Sequence, residues 1–186
     1  MKTALVIVDM LNDFLKGPLD NNLQIELEGQ EPMKIIEPVK TVLDKFRSHK
    51  LPVIYVNDHH YPNDFEIVKW GPHAMAGTDG SKILETISPK DGEYVIEKHT
   101  YSGFYGTPLD YILRSNKIEA IMLVGLYADI CVRHTAADAF FRGYDIYIVR
   151  DAMVARIDPL WENYFVKVYG AKIINSSEIE DILKYQ

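Results

Sequence analysis

Six short apolar runs punctuate the chain: Ala4–Val8, Val53–Val56, Tyr94–Ile96, Ala120–Val124, Ile146–Val149 and Lys172–Ile174. They are rich in Val and Ile and almost free of polar alternation, which predicts strands buried on both faces, as in a parallel sheet. Between them the apolar positions take a helical period. Ile35, Val39, Val42, Leu43 and Phe46 recur at three- and four-residue steps after Pro32. Leu109, Ile112 and Leu113 follow Thr107-Pro108, an N-cap residue and a first-turn proline. Val132, Ala136, Ala139 and Phe140 form a third stripe, which Gly143 ends. Trp161 to Tyr169 and Ile179 to Leu183 complete the helices. The order β-α-β-β-α-β-α-β-α-β-α predicts an α/β protein with helices on both faces of its sheet. Right-handed crossovers place successive strands side by side.

Two connections, Met10 to Glu31 and Asp58 to Gly80, are longer than such units need. Both leave the C-terminal end of a strand, where open α/β sheets put their ligands. No repeat, linker or composition shift marks a boundary, so residues 1–186 read as a single domain. Over these 186 residues, 27 acidic and 20 basic side chains leave a net charge of −7. Such a surface repels phosphate backbones and argues against a nucleic-acid partner. One cysteine makes no intramolecular disulfide. With neither a signal-peptide cleavage site nor an apolar membrane span, the expected location is the cytoplasm.

Four chemically capable side chains sit just past four strands: Asp9, Asp58, Lys98 and Cys131. In a parallel sheet they converge on one edge. A lone cysteine is more often a small buried hydrophobe, but one opening a helix is favoured as an anion by the helix dipole, which predicts a lowered thiol pKa. An adjacent Asp9 is then a candidate general base for Cys131, and Lys98 a cation holding both charged. Asp58 and His60 lie two apart in an extended segment, and His73 follows within Trp70-Gly-Pro-His73. Asp plus two His suits Zn²⁺, Fe²⁺ or Mn²⁺ with positions left for water or substrate. Surface histidines account for His59 and are an equal alternative for all three. No phosphate loop, dinucleotide fingerprint or G-x-S-x-G elbow is present, so no organic cofactor is expected. An aspartyl phosphotransferase would carry a second Asp where Leu11 stands. A non-catalytic interaction module of the same fold would have lost the Asp9/Lys98/Cys131 set.

Three blocks, Val6–Phe14, Glu97–Phe104 and Gly125–Ala139, resemble the isochorismatase-like cysteine hydrolases, which include nicotinamidases and N-carbamoylsarcosine amidases. The resemblance implies a three-layer α-β-α fold with a six-stranded, mostly parallel sheet of Rossmann-like strand order. It implies a homodimer or homotetramer acting on a small-molecule amide, with Asp9, Lys98 and Cys131 as the catalytic triad. It further implies a cis peptide at Leu126–Tyr127 that turns the Tyr127 N–H toward the oxygen bound by the Cys131 N–H. Asp58, His60 and His73 match the metal set of nicotinamidases, and Phe14 and Trp70 their ring-stacking positions. The further histidine of that metal loop is missing here, and Asp64, Glu66 or water stands in its place. The resemblance therefore implies a cysteine amidohydrolase that releases ammonia through a thioester, with nicotinamide the first substrate. An N-carbamoyl amino acid or ureido compound is the alternative, for which Arg133, Arg142 and Arg156 are the available clamps on a substrate carboxylate.

Overall fold

The computed structural model describes residues 1–15 and 29–184, so residues 16–28 of the predicted Met10–Glu31 connection lie outside the described residues. The six predicted strands are β1 (Thr3–Val8), β2 (Val53–Asp58), β3 (Tyr94–Lys98), β4 (Ala120–Leu126), β5 (Asp145–Val154) and β6 (Lys172–Ile174). They form one sheet of order β3-β2-β1-β4-β5-β6. Every pairing in it is parallel, so the expectation of a mostly parallel sheet becomes an all-parallel one. The order is the doubly wound one, and the chain reverses its direction of travel between β1 and β4.

The predicted helices are α2 (Ile36–Ser48), α4 (Leu109–Ser115), α5 (Arg133–Phe141), α6 (Trp161–Tyr169) and α7 (Ile179–Leu183). Two short helices lie inside the segments read as loops, α1 (Asn12–Leu15) and α3 (Phe65–Trp70). At four and six residues they show too little apolar periodicity to register in sequence. Successive side chains of β1 enter two different cores, as the period of a strand requires. Leu5 and Ile7 pack with Val39, Val42, Leu43 and Phe46 of α2 and with Ile179 and Leu183 of α7. Ala4, Val6 and Val8 pack with Leu109 and Leu113 of α4, Val132, Ala136 and Ala139, and Trp161 and Phe165 of α6. Three layers result.

β3 departs from the expected two-sided burial because it is the sheet edge. Tyr94 and Val95 are exposed while Ile96 and Lys98 are buried. Thr107 caps as predicted, its Oγ1 accepting the Leu109 N–H at 3.2 Å. Gly125 is the one place where β4 tolerates no side chain. Its φ is +111°, and a Cβ there would lie 2.0 Å from the Val8 carbonyl oxygen. The close approach draws the end of β4 onto the end of β1, at the point where the sheet order reverses. Among the described residues no helix is long and apolar enough to cross a membrane.

Candidate active site

Asp9 follows β1 in a left-handed conformation, φ +52°. Its N–H donates to the Val56 carbonyl at 3.1 Å, which fixes the residue against β2. Asp58 and Lys98 end β2 and β3 and are paired in register. Lys98 Nζ lies 2.8 Å from Asp9 Oδ2 and closer still to Asp58 Oδ1. The Asp58 N–H donates to Asp9 Oδ1 at 2.7 Å. Cys131 sits in a single π turn, Ala128–Val132, in which the Val132 N–H reaches back to the Tyr127 carbonyl at 3.2 Å. Such turns widen a helix at functional positions. A donor atom each of Asp9, Asp58 and Cys131 falls within 4.8 Å of the other two. The Leu126–Tyr127 peptide is cis. The structure thus brings Asp9, Lys98 and Cys131 together at the reversal point, with Leu126 and Tyr127 leading into the turn.

All four groups are buried, with Asp9 1%, Asp58 2%, Lys98 0% and Cys131 6% exposed. Two carboxylates share one ammonium, and their proton affinities split. Burial and the neighbouring Asp58 charge raise Asp9 to about 7 despite Lys98. Burial opposes the charge on Asp58 too, but Lys98 and His60 bring it down to about 2. Lys98 is disfavoured by burial and still held well above its ordinary value by Asp58, Asp9 and Cys131. The lowered thiol pKa expected from a helix terminus is corrected here. Burial pushes the Cys131 thiol up, Lys98 opposes, and Asp9 and Asp58 reinforce the rise. Desolvation of a thiolate outweighs the dipole of one turn. The resting site is a thiol beside a carboxyl group poised near neutrality.

A second group lies against the first. Donor atoms of Asp58, His60 and His73 fall within 4.8 Å of one another, and all three residues are buried. His60 Nε2 is 3.5 Å from Asp58 Oδ1. The His60 and His73 rings lie 4.8 Å apart at 65°. Backbone pairing holds them there: the His60 N–H donates to the Ala74 carbonyl at 3.0 Å and the Ala76 N–H to the His60 carbonyl at 2.8 Å. Asp13 Oδ2, from α1, accepts the Ala74 N–H at 2.8 Å and pins the turn that carries His73. Burial lowers the His73 pKa; for His60 burial acts in the same sense, but Asp58 and Asp64 outweigh it and raise the pKa. The set fits a divalent cation. It offers one carboxylate and two imidazoles, and the buried His60 Nε2 has no hydrogen-bond partner among the described residues.

The two candidates for the fourth position separate. Asp64 lies at the other ring nitrogen of His60, with Oδ2 3.1 Å from Nδ1, and so stands outside the cluster. Glu66 is 4% exposed with Oε1 unpartnered. Burial raises its pKa, and the charges of Asp58, Lys98 and His60 act on it. The two residues expected to stack on a substrate ring occupy different settings. Phe14 is buried against His73 at 6.0 Å and Tyr127 at 5.9 Å. Trp70 is 41% exposed at the end of α3 and hydrogen-bonds Tyr101.

Of the three arginines, Arg142 pairs with Asp138 at 2.6 Å, and Arg133 stacks on Tyr164 at 3.5 Å. Arg156 is the one whose charge acts on Tyr127 and Tyr101, both of which also feel Cys131. Asp129, absent from the sequence reading, places it. Its carboxylate accepts the N–H groups of Arg156, Ile157 and Asp158 at 2.9, 2.7 and 2.8 Å. The only signal in the sequence is an Asp two positions before the cysteine, and its partners lie a whole β-strand later.

The family model for the isochorismatase domain matches residues 3–178. Among solved structures, N-carbamoylsarcosine amidase from Thermoplasma acidophilum is 55% identical, covering 97% of this chain and 99% of that one, with a TM-score of 0.89. Nicotinamidase/pyrazinamidase PncA from Bacillus subtilis is 29% identical over 94% and 100%, with a TM-score of 0.79. A pyrazinamidase of Pyrococcus horikoshii in complex with zinc is 29% identical over 94% and 99%, with a TM-score of 0.80.

Proposed function

Because this chain belongs to the isochorismatase family, we propose that it is a cysteine amidohydrolase cleaving the C–N bond of an N-carbamoyl amino acid or a related ureido compound. The contact of Asp9, Lys98 and Cys131 at the β1/β4 reversal carries the chemistry. The 55% identity to an N-carbamoylsarcosine amidase, nearly twice that to the nicotinamidase, supports the substrate class.

Asp9, near neutrality, accepts the Cys131 proton, and Lys98 beside both groups stabilises the ion pair as it forms. The thiolate attacks the ureido carbon. The Tyr127 and Cys131 N–H groups are the donors for the oxyanion of the tetrahedral intermediate. Asp9 returns the proton to the leaving nitrogen, ammonia departs, and an S-thiocarbamate of the remaining ureido nitrogen stays on Cys131, to be hydrolysed to the carbamic acid. Water, deprotonated by Asp9, then adds to the same carbon, and the thiol is released with the acid. Arg156 is the clamp for the substrate carboxylate, a role its position beside Tyr127 and Tyr101 supports. Asp58, His60 and His73, with Glu66 alongside, would hold a divalent cation, which when bound supplies a Lewis acid for orienting a substrate atom.

That set favours the second reading, a nicotinamide-type heteroaromatic amide lying against Phe14, which packs on His73. Ammonia release from N-carbamoylsarcosine, ureidoacrylate, nicotinamide and pyrazinamide, with and without chelator, decides between them. The first reading expects kcat/KM at least tenfold higher for a carbamoyl compound. A reversed ranking that collapses with chelator transfers the assignment to the second, and undiminished ammonia release by Cys131→Ala ends both.

A further inference from the structure

Asp64 precedes α3, the position from which an aspartate ordinarily accepts an N–H of the first helical turn. Its side chain makes no such bond. Oδ2 instead accepts the Tyr61 N–H at 2.9 Å and lies 3.1 Å from both His60 Nδ1 and His99 Nδ1. The helix end goes without its cap, and two imidazoles gain a carboxylate.

A carboxylate at one ring nitrogen of a neutral imidazole holds the proton there and leaves the lone pair on the other. For His60 the shorter contact is the one to Asp64, 3.1 Å at Nδ1 against 3.5 Å from Nε2 to Asp58 Oδ1, so the lone pair falls on Nε2, a buried atom with no hydrogen-bond partner among the described residues. His73 is set the same way by a different acceptor. Its Nδ1 is 2.9 Å from the Gly71 carbonyl, which only accepts, so its lone pair also falls on Nε2. Two histidines from separate loops thus carry their Nδ1 protons on fixed acceptors. His99 differs: it is half exposed, stacks on Tyr61 at 5.7 Å, and shares the Asp64 carboxylate from outside.

We propose that Asp64 is a positioning residue that fixes the tautomer and aim of His60 so that Nε2 ligates a divalent cation together with Asp58 and His73. This rests on the reading of Asp58, His60 and His73 as a cation set, and goes beyond it in assigning Asp64 to the outer shell and His99 to a dispensable place on the same carboxylate.

The test uses the full chain, stripped of metal by dialysis, and Zn²⁺ alone as probe. Affinity is read by competition with a chromophoric chelator, and the tautomer of His60 by two-dimensional ¹H–¹⁵N spectra at alkaline pH. Loss of an outer-shell partner weakens metal binding about 10–100-fold, which is the expectation for Asp64→Ala. Asp64→Asn, which keeps an acceptor oxygen, falls between, and His99→Ala stays within about threefold of the parent by the same reasoning. In the parent protein the His60 proton is expected on Nδ1. Thermal unfolding of the metal-free forms shows whether each variant is folded, and Asp64→Asn stands in if Asp64→Ala is not. Zn²⁺ affinity within threefold of the parent in Asp64→Asn and Asp64→Ala, or a His60 proton on Nε2, overturns the role of Asp64 and leaves the cation set standing. A parent protein that binds Zn²⁺ no better than Asp58→Asn overturns both.

Discussion

The Asp58 N–H donates to the Asp9 carboxylate at 2.7 Å, while the side chains of both residues converge on the single ammonium of Lys98. Two neighbouring acids with one cation cannot ionise alike. Asp58, which also faces His60, stays ionised down to about 2, and Asp9 is lifted to about 7. The split suits the roles proposed for them, Asp58 holding charge and Asp9 moving a proton.

The rate of the metal-free enzyme should therefore follow Asp9. kcat/KM is expected to fall about tenfold per pH unit below about 7, with Asp9 and Asp58 titrating as one coupled pair around Lys98. Asp9→Asn should flatten that limb and lower the rate roughly 10²–10⁴-fold. Stability carries the opposite sign. The folded pKa of about 7 lies above the ordinary value of 3.8, so the contribution of Asp9 is present at low pH and lost as pH rises toward about 7. Urea unfolding as a function of pH, with and without Asp9→Asn, reads this slope.

Lys98→Met should leave two buried carboxylates facing each other without a cation. A loss of about 3–5 kcal/mol in unfolding free energy is expected near neutral pH. The loss should shrink in acid as the carboxylates take up protons. A variant as stable as the parent at pH 7 would mean that the pair does not hold the strand ends together.

Arg156→Ala should raise KM for a carboxylate-bearing ureide roughly 10–100-fold, the worth of one charged hydrogen-bonding partner, with a smaller effect on kcat. A neutral amide substrate should be unaffected. Equal losses on both substrates would place Arg156 in the structural frame instead of the binding site.

Asp129→Ala removes the acceptor of three N–H groups. A destabilisation of about 2–3 kcal/mol is expected, measured by denaturant unfolding. Because the same bonds hold Arg156 beside the cysteine turn, kcat/KM for the carboxylate substrate should fall with it. Asp129→Asn, which keeps one acceptor oxygen, should lie between.

Much of this was legible along the chain because it is local. Strand and helix periods are written in neighbouring residues, so Leu5 to Val8 and the Val39–Phe46 stripe declare their elements without help from the rest of the protein. Asp9, Asp58, Lys98 and Cys131 could be placed at one edge from parallel strands alone. The short helices α1 and α3, and the exposure of β3, escaped that reading. Four to six residues hold too few turns for a period, and an edge strand is defined by which neighbour is missing.

By itself, then, the chain's order of apolar runs determined an α/β layering, and the residues ending those runs determined which reactive groups meet. Only the tertiary structure decided what state those groups are in. The cysteine expected to be acidified by its helix is instead desolvated, because its turn is buried past the end of the central strand β4 beside two carboxyl groups, whose effect together with burial exceeds that of the one ammonium. Asp64 turned from candidate ligand to partner of the opposite ring nitrogen for a similar reason. Proton affinity and ligand direction depend on distances of a few ångströms between residues dozens of positions apart, which no local pattern encodes.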